Sequence, residues 1–143
     1  MIAVRWPDAI KSNGGGANAI LVRGDAIVEH RVRRLCIWPE RRWVHAVRLH
    51  DVGVWVANTH AGGPMRDARL AAETVLRWAG DAPVVFGGDF NIRQLALEGF
   101  ACAGGHGVDY VFVRGVEACG GAEVLDRGRL SDHAPVAVTI ALA

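Results

Sequence analysis

The sequence is poor in lysine, tyrosine and cysteine, has almost no net charge, and lacks any long hydrophobic run. The three cysteines, Cys36, Cys102 and Cys119, are odd in number and none stands in a Cys-x-x-Cys pair, which argues against a disulfide framework and for reduced thiols. Cys102, His106 and Cys119 lack the paired spacing and the fourth donor of a zinc site. Lys11 is the only lysine, and no Lys-Ser/Thr follows the Gly14-Gly15-Gly16 run, so that run is not a phosphate loop. No apolar stretch approaches the roughly 20 residues of a membrane-spanning helix. The first twenty residues have neither the basic start nor the apolar middle of a secretory signal, so the expectation is a cytoplasmic protein, with secretion left open if the true start lies upstream of Met1. A formal charge of +1, from 16 Lys plus Arg against 15 Asp plus Glu, excludes a dedicated nucleic-acid coat; a polyanion must be held locally.

What is present is a chain of 143 residues, 51% hydrophobic, with 18 glycines, the size of one globular domain spanning 1–143. Met1 to Gly16 carries turn chemistry and reads as an irregular lead-in. Short β-type segments follow at Ala17 to Arg23, Val32 to Trp38, Trp43 to Leu49 and Val52 to Thr59, as in a meander. Trp38-Pro39-Glu40-Arg41-Arg42-Trp43 reads as a proline-led turn whose aromatics pair across a hairpin. The clearest helix is Met65 to Ala79, with Ala68, Ala71 or Ala72, Val75, Leu76 and Ala79 on one stripe, Arg66, Asp67, Arg69, Glu73 and Arg77 elsewhere, and Gly80 as its stop. Pro83 to Phe86 reads as a buried strand, and Val108 to Val113 and Pro135 to Leu142 as two more. This order predicts a layered α/β domain with mixed strand directions.

Polar residues that resist a packing explanation stand at the ends of these strands: Asn58-Thr59-His60, Gly88-Asp89-Phe90-Asn91, Asp109-Tyr110 and Ser131-Asp132-His133. Strand ends are where layered folds assemble sites from residues distant in sequence, so the four clusters predict one cleft. Each alone has a structural explanation: Asp89 and Asn91 as Asx turns, His60 as a satisfied histidine, Ser131-Asp132 as a turn cap. Asp109, between Val108 and Tyr110, is costly to bury without a partner.

Taken in order, the four motifs resemble the carboxy-terminal part of the endonuclease/exonuclease/phosphatase superfamily, which includes pancreatic-type deoxyribonucleases, apurinic endonucleases, sphingomyelinases and inositol-polyphosphate phosphatases. The resemblance runs from about Asn18 to the end. It implies a layered sandwich of two mixed β-sheets flanked by helices, and hydrolysis of phosphate esters by an activated water with a divalent cation, magnesium or manganese. On that resemblance Asp89 orients or deprotonates the water and Asn91 holds it or a phosphoryl oxygen. His133 contacts the scissile phosphate, Asp109 orients His133, and His60 brings a second imidazole to a phosphoryl oxygen or the leaving group. Asp132 faces the metal, which Asp89 and Asp132 would hold. Gly87 and Gly88 let the backbone approach the substrate.

The same resemblance implies a domain nearly twice this length, whose first half carries an early asparagine and a Gln-Glu metal ligand; neither motif occurs here. The chain then corresponds to an N-terminally incomplete domain, either completed by residues upstream of Met1, by self-association or by a partner chain, or the product of a decayed gene. The substrate class, from DNA or RNA to a phospholipid or a sugar phosphate, stays open, with Arg31, Arg33, Arg34, Arg41 and Arg42 as a candidate basic rim for nucleic acid. The alternative from another class is a non-catalytic module that binds phosphate-bearing ligands or a protein through the same cleft.

Overall fold

A computed structural model describes residues 18–142 apart from positions 39 and 130. The readings made on the lead-in, on the glycine run and on the proline of the hairpin turn lie outside the described residues. Within them, β1 (Ile27–Cys36), β2 (Arg42–Leu49) and β3 (Trp55–His60) form the expected antiparallel meander. A helix, α1 (Met65–Ala79), then leads to β4 (Val84–Asp89), which lies parallel to β3. A parallel pair needs a crossover, and α1 provides it. β5 (Ala101–His106) and β6 (Asp109–Arg114) complete a six-stranded mixed sheet in the order β1-β2-β3-β4-β6-β5.

Four short strands, β7 (Glu117–Ala118), β8 (Glu123–Val124), β9 (Val136–Ala137) and β10 (Ile140–Ala141), pair as two ribbons, β10 with β7 and β8 with β9. Among the described residues the architecture is therefore α/β, one large mixed sheet with a helix and two small ribbons.

Alternation along the strands gives the large sheet two unlike faces. Val44 and Ala46 of β2, Trp55 and Ala57 of β3, Val84 and Phe86 of β4 and Phe112 of β6 are buried in one cluster with Ala68, Ala71, Ala72, Val75 and Ala79 of α1. Small alanines let the helix lie close to the sheet, and the aromatic residues fill the space beyond it. Phe86 meets Phe90 edge to face with ring centroids 5.3 Å apart, and Phe90 meets Phe112 in the same way at 5.6 Å. Gly80 closes the helix at φ +57°, its N–H donating to the carbonyl of Leu76 at 3.0 Å.

The differences from the sequence reading have local causes. Asp67, placed off the apolar stripe of α1, is nevertheless buried at the first turn, where a carboxylate suits the positive end of the helix dipole. Thr74 is buried too, accepting from Arg33 Nη1 at 2.8 Å while its hydroxyl donates to the carbonyl of Leu70 at 2.6 Å. Residues 19–22 form no strand; this segment is instead tied to the sheet by side chains, with Asn58 Nδ2 donating to the carbonyl of Ala19 at 3.3 Å and Asn18 Nδ2 to that of Trp43 at 2.8 Å. Trp38 is exposed, and the cross-strand partner of Trp43 is Arg34, whose guanidinium stacks 5.9 Å from the ring centroid. The segment 135–142 breaks into β9 and β10, and β5, with two glycines in six residues, has too little apolar alternation to be read as a strand.

Candidate active site

The second face of the sheet carries the polar clusters, and strand register assembles those that end or begin its strands. His60 on β3 is the register partner of Asp89 on β4, Asp89 that of Asp109 on β6, and Asp109 that of His106 on β5. Four residues from four strands thus form one row at the edge of the sheet face. Two residues further in, Asn58, Gly87 and Val111 form the next row.

The closeness of β3 and β4 at this row depends on Gly88. It has φ +149°, and a Cβ placed there would sit 1.9 Å from the carbonyl oxygen of Thr59. Only glycine fits. Directly after the strand, Asn91 takes the left-handed conformation at φ +54°, which asparagine tolerates. Its N–H donates to Asp89 Oδ1 at 2.8 Å, and its Nδ2 donates to the carbonyl of Ala61 at 2.9 Å, joining the loop after β4 to the loop before α1.

With Oδ1 held by Asn91, Asp89 Oδ2 faces two imidazoles. It lies 3.3 Å from His60 Nε2 and 3.9 Å from His133 Nε2. His133 arrives from the loop between β8 and β9, where the Ser131 hydroxyl accepts its backbone N–H at 3.0 Å in a tight turn. Its Nδ1 lies 2.7 Å from Asp109 Oδ2, the partner that the strand position of Asp109 called for. The two histidines are tuned in opposite directions. Burial, aided by the Arg42 cation, pushes His60 below the usual histidine value, and Asp89 offsets this in part. The hydrogen bond and negative charge of Asp109 raise His133 above it.

These residues stand at one end of an open trough of about 610 Å³. It is lined by Val56, Val85 and Val111 of the sheet, by Asn18 to Ile20, and by Ser131 and His133 to Val136. Asp89, Asp109 and His133 bring one donor atom each to within 4.8 Å of one another. Two carboxylates open to a solvent-accessible trough suit a hard divalent cation whose remaining ligands are water and substrate oxygen. Asp132, expected at the metal, is not part of that cluster; it is exposed and lines a neighbouring cleft with Arg127. No cysteine takes part in a metal cluster among the described residues, and all three thiols are free.

The arginine run expected as a basic rim is divided between the two faces. Arg31 stacks on Trp55, 5.3 Å from the ring centroid, and pairs with Glu29. Arg33 reaches α1 through Thr74, Arg34 lies on Trp43, and Arg42 pairs with Glu40 at 2.6 Å. Arg42 still lies close enough to His60 to act on it, and the arginines beside Asp109 and His133 are Arg93 and Arg127, which the sequence reading did not single out. The one available signal was position: Arg93 follows Asn91 by two residues, and Arg127 precedes Ser131 by four.

No protein-family model matches this chain, and no curated protein sequence matches it. Solved structures do. An endonuclease/exonuclease/phosphatase from Bacteroides vulgatus superposes with a TM-score of 0.69 at 17% identity, over 83% of this chain and 67% of that one. The fold is that of the endonuclease/exonuclease/phosphatase proteins. A second such protein, from Bacteroides thetaiotaomicron, gives a TM-score of 0.65 at 16% identity, over 83% of this chain and 66% of the other. A humanised D. rerio TDP2 gives 0.67 at 16% identity, over 82% and 68%. The chain thus spans about two thirds of the length of these structures. Among the described residues no helix is long and apolar enough to cross a membrane.

Proposed function

We propose that the chain is a single domain that hydrolyses phosphate esters, as a phosphodiesterase of nuclease type, at the row His60, Asp89, Asp109 and His133. One observation carries this reading: a carboxylate oxygen of Asp89 lies between two imidazoles of opposite tuning, 3.3 Å from His60 and 3.9 Å from His133. Environments that push a pair of titratable groups apart assign them to different roles. Asp89 Oδ2, its neighbour Oδ1 already engaged by Asn91, is the atom placed to take a proton from a water attacking phosphorus. His133, whose charged form is favoured by Asp109, sets its imidazole against the phosphoryl oxygens and, when protonated, is able to give a proton to the leaving oxygen as the P–O bond breaks. His60, kept neutral near pH 7, hydrogen-bonds a phosphoryl oxygen without competing for that proton.

The donor set fits one magnesium or manganese ion on Asp89 and Asp109, with substrate and water completing it. When bound, the ion would neutralise phosphoryl charge and acidify a water. Asn91 keeps one amide N–H and its Oδ1 for a water or a phosphoryl oxygen, since Ala61 takes only one of its donors.

The resemblance in fold to TDP2, one of whose structures is complexed with a single-strand DNA product, supports a nucleic-acid substrate. The test is magnesium-stimulated hydrolysis of a generic phosphodiester, lost on chelation and in Asp89→Ala and His133→Ala. Phosphate-ester binding without turnover, indifferent to chelator and to Asp89→Asn, would identify a binding module instead.

A further inference from the structure

Two histidines outside the catalytic row meet on the face of the sheet away from α1. His30 on β1 and His45 on β2 place their ring centroids 4.6 Å apart, with the ring planes at 80° to one another. In the register of the two strands His30 stands opposite Val47 and His45 opposite Val32, so the imidazoles hold one diagonal of a four-residue square and the valines the other. Diagonal neighbours on an antiparallel pair are within reach of long side chains. Val44 and Ala46 of β2 are buried against the helix, so alternation turns His45 and Val47 the other way.

Neither ring is engaged elsewhere. Among the described residues His50, His60 and His133 each face a carboxylate, whereas His30 and His45 have no hydrogen-bond or ion-pair partner. Glu29, next to His30 in sequence, is taken by Arg31, and Arg34 further along β1 lies on the Trp43 ring. His30 is exposed and His45 half-buried, so the point where the rings converge is open to solvent. Burial and the neighbouring His30 push His45 below the usual histidine value. It is neutral near pH 7, the form in which a ring nitrogen binds a metal.

We propose that His30 and His45 form a bidentate site for a borderline divalent transition cation, zinc or copper(II), with water completing the coordination. Metal–nitrogen bonds of about 2.0–2.1 Å to a common ion fit two rings at this separation. The χ2 angle of histidine is soft, so each ring can turn a nitrogen towards that ion. The chemistry differs from that of the trough, where Asp89 and Asp109 offer oxygen to a hard cation; the histidine pair offers only nitrogen, which magnesium takes up poorly. An ion here also has a structural consequence. β1 is an outer strand of the large sheet and pairs in it with β2 alone, so the cation ties the edge strand to its only strand neighbour. The site is independent of the phosphodiesterase reading.

Zinc chloride titrated into the natural chain in excess magnesium, followed through the imidazole carbon resonances, tests the site. The expected result is that the signals of His30 and His45 move together and saturate at one equivalent. In His30→Gln the zinc concentration needed to move His45 rises by roughly tenfold or more, because a cation held by two groups on one rigid hairpin has lost one of them. Zinc raises the melting temperature of the natural chain by more than that of His30→Gln. Calorimetry shows copper(II) binding more tightly than zinc, and His30→Gln and His45→Gln each weakening it. His30 is exposed, so His30→Gln decides the matter if His45→Gln unfolds. Zinc that moves other histidine signals and leaves these two in place overturns the proposal, as does a response of His45 unchanged by His30→Gln.

Discussion

His133 Nδ1 and Asp109 Oδ2 stand 2.7 Å apart, although the two residues come from different elements 24 positions apart in sequence. The bond fixes the ring so that its other nitrogen faces Asp89, and it raises the His133 pKa. His60, on the far side of Asp89, is shifted down by burial and by Arg42.

A titration followed by NMR of the imidazole carbons therefore separates the two rings, His60 titrating below the ordinary value of about 6.5 and His133 above it. Asp109→Asn moves His133 back towards that value and leaves His60 below it. The stability consequence has a definite sign. Because the folded-state pKa of His133 is raised, the pair stabilises the fold fully below the unfolded value of about 6.5, and this contribution is lost as pH rises through the folded value. Denaturation midpoints of the natural chain and of Asp109→Asn, compared at pH 5.5 and pH 8.5, should differ more at the lower pH. Equal differences at both would contradict the assignment.

Among the described glycines of the sheet, Gly88 leaves the least room for a side chain. Gly88→Ala drives a methyl group into the Thr59 carbonyl, 1.9 Å away, so β3 and β4 must separate where His60 faces Asp89. The expected cost is about 3 kcal/mol, lowering the melting temperature by roughly 10 °C. Gly53→Ala, at φ +64° with no atom within 4 Å of the added methyl, is the control. It carries only backbone strain, about 1–2 kcal/mol. Thermal melts of both variants, monitored by circular dichroism, make the comparison.

Phe86 joins the helix face of β4 to the aromatic residues beneath the loop after it. It is fully buried, and Phe86→Ala should cost about 3–5 kcal/mol by leaving a cavity among Phe90, Phe100 and α1. Phe86→Leu should cost markedly less. Chemical denaturation midpoints check both, and similar losses for the two would show that the loop, rather than the cavity, sets the penalty.

The parts of this architecture that were legible in the sequence are those where periodicity is strong. Met65–Ala79 stands where its apolar stripe and its terminal glycine placed it. Trp55–His60 alternates buried and half-buried residues as a strand with two different faces should. His60, Asp89, Asp109 and His133 were each singled out from their motifs, because a polar residue ending an apolar strand has no packing purpose there. What the motifs lack is register, a property of pairing between strands, so the row that puts His60 opposite Asp89 and Asp109 was invisible. The placement of Arg93 and Arg127 was hidden for a different reason. An arginine in a loop is usually solvated, and the run Arg31 to Arg42 drew attention by its density. Strand alternation sent Arg31 to Trp55 and Arg33 to Thr74, on the helix face and away from the site.

The central claim is that Asp89 and His133 act together on a phosphate ester. Its most direct test is the hydrolysis of bis(p-nitrophenyl) phosphate in the presence of magnesium, with and without EDTA, by the natural chain, Asp89→Ala and His133→Ala, each checked for an unchanged circular dichroism spectrum. The account predicts chelator-sensitive turnover by the natural chain that drops by roughly 10²–10⁴-fold in either folded variant. No turnover by the natural chain, or turnover that persists undiminished in folded Asp89→Ala, would contradict it.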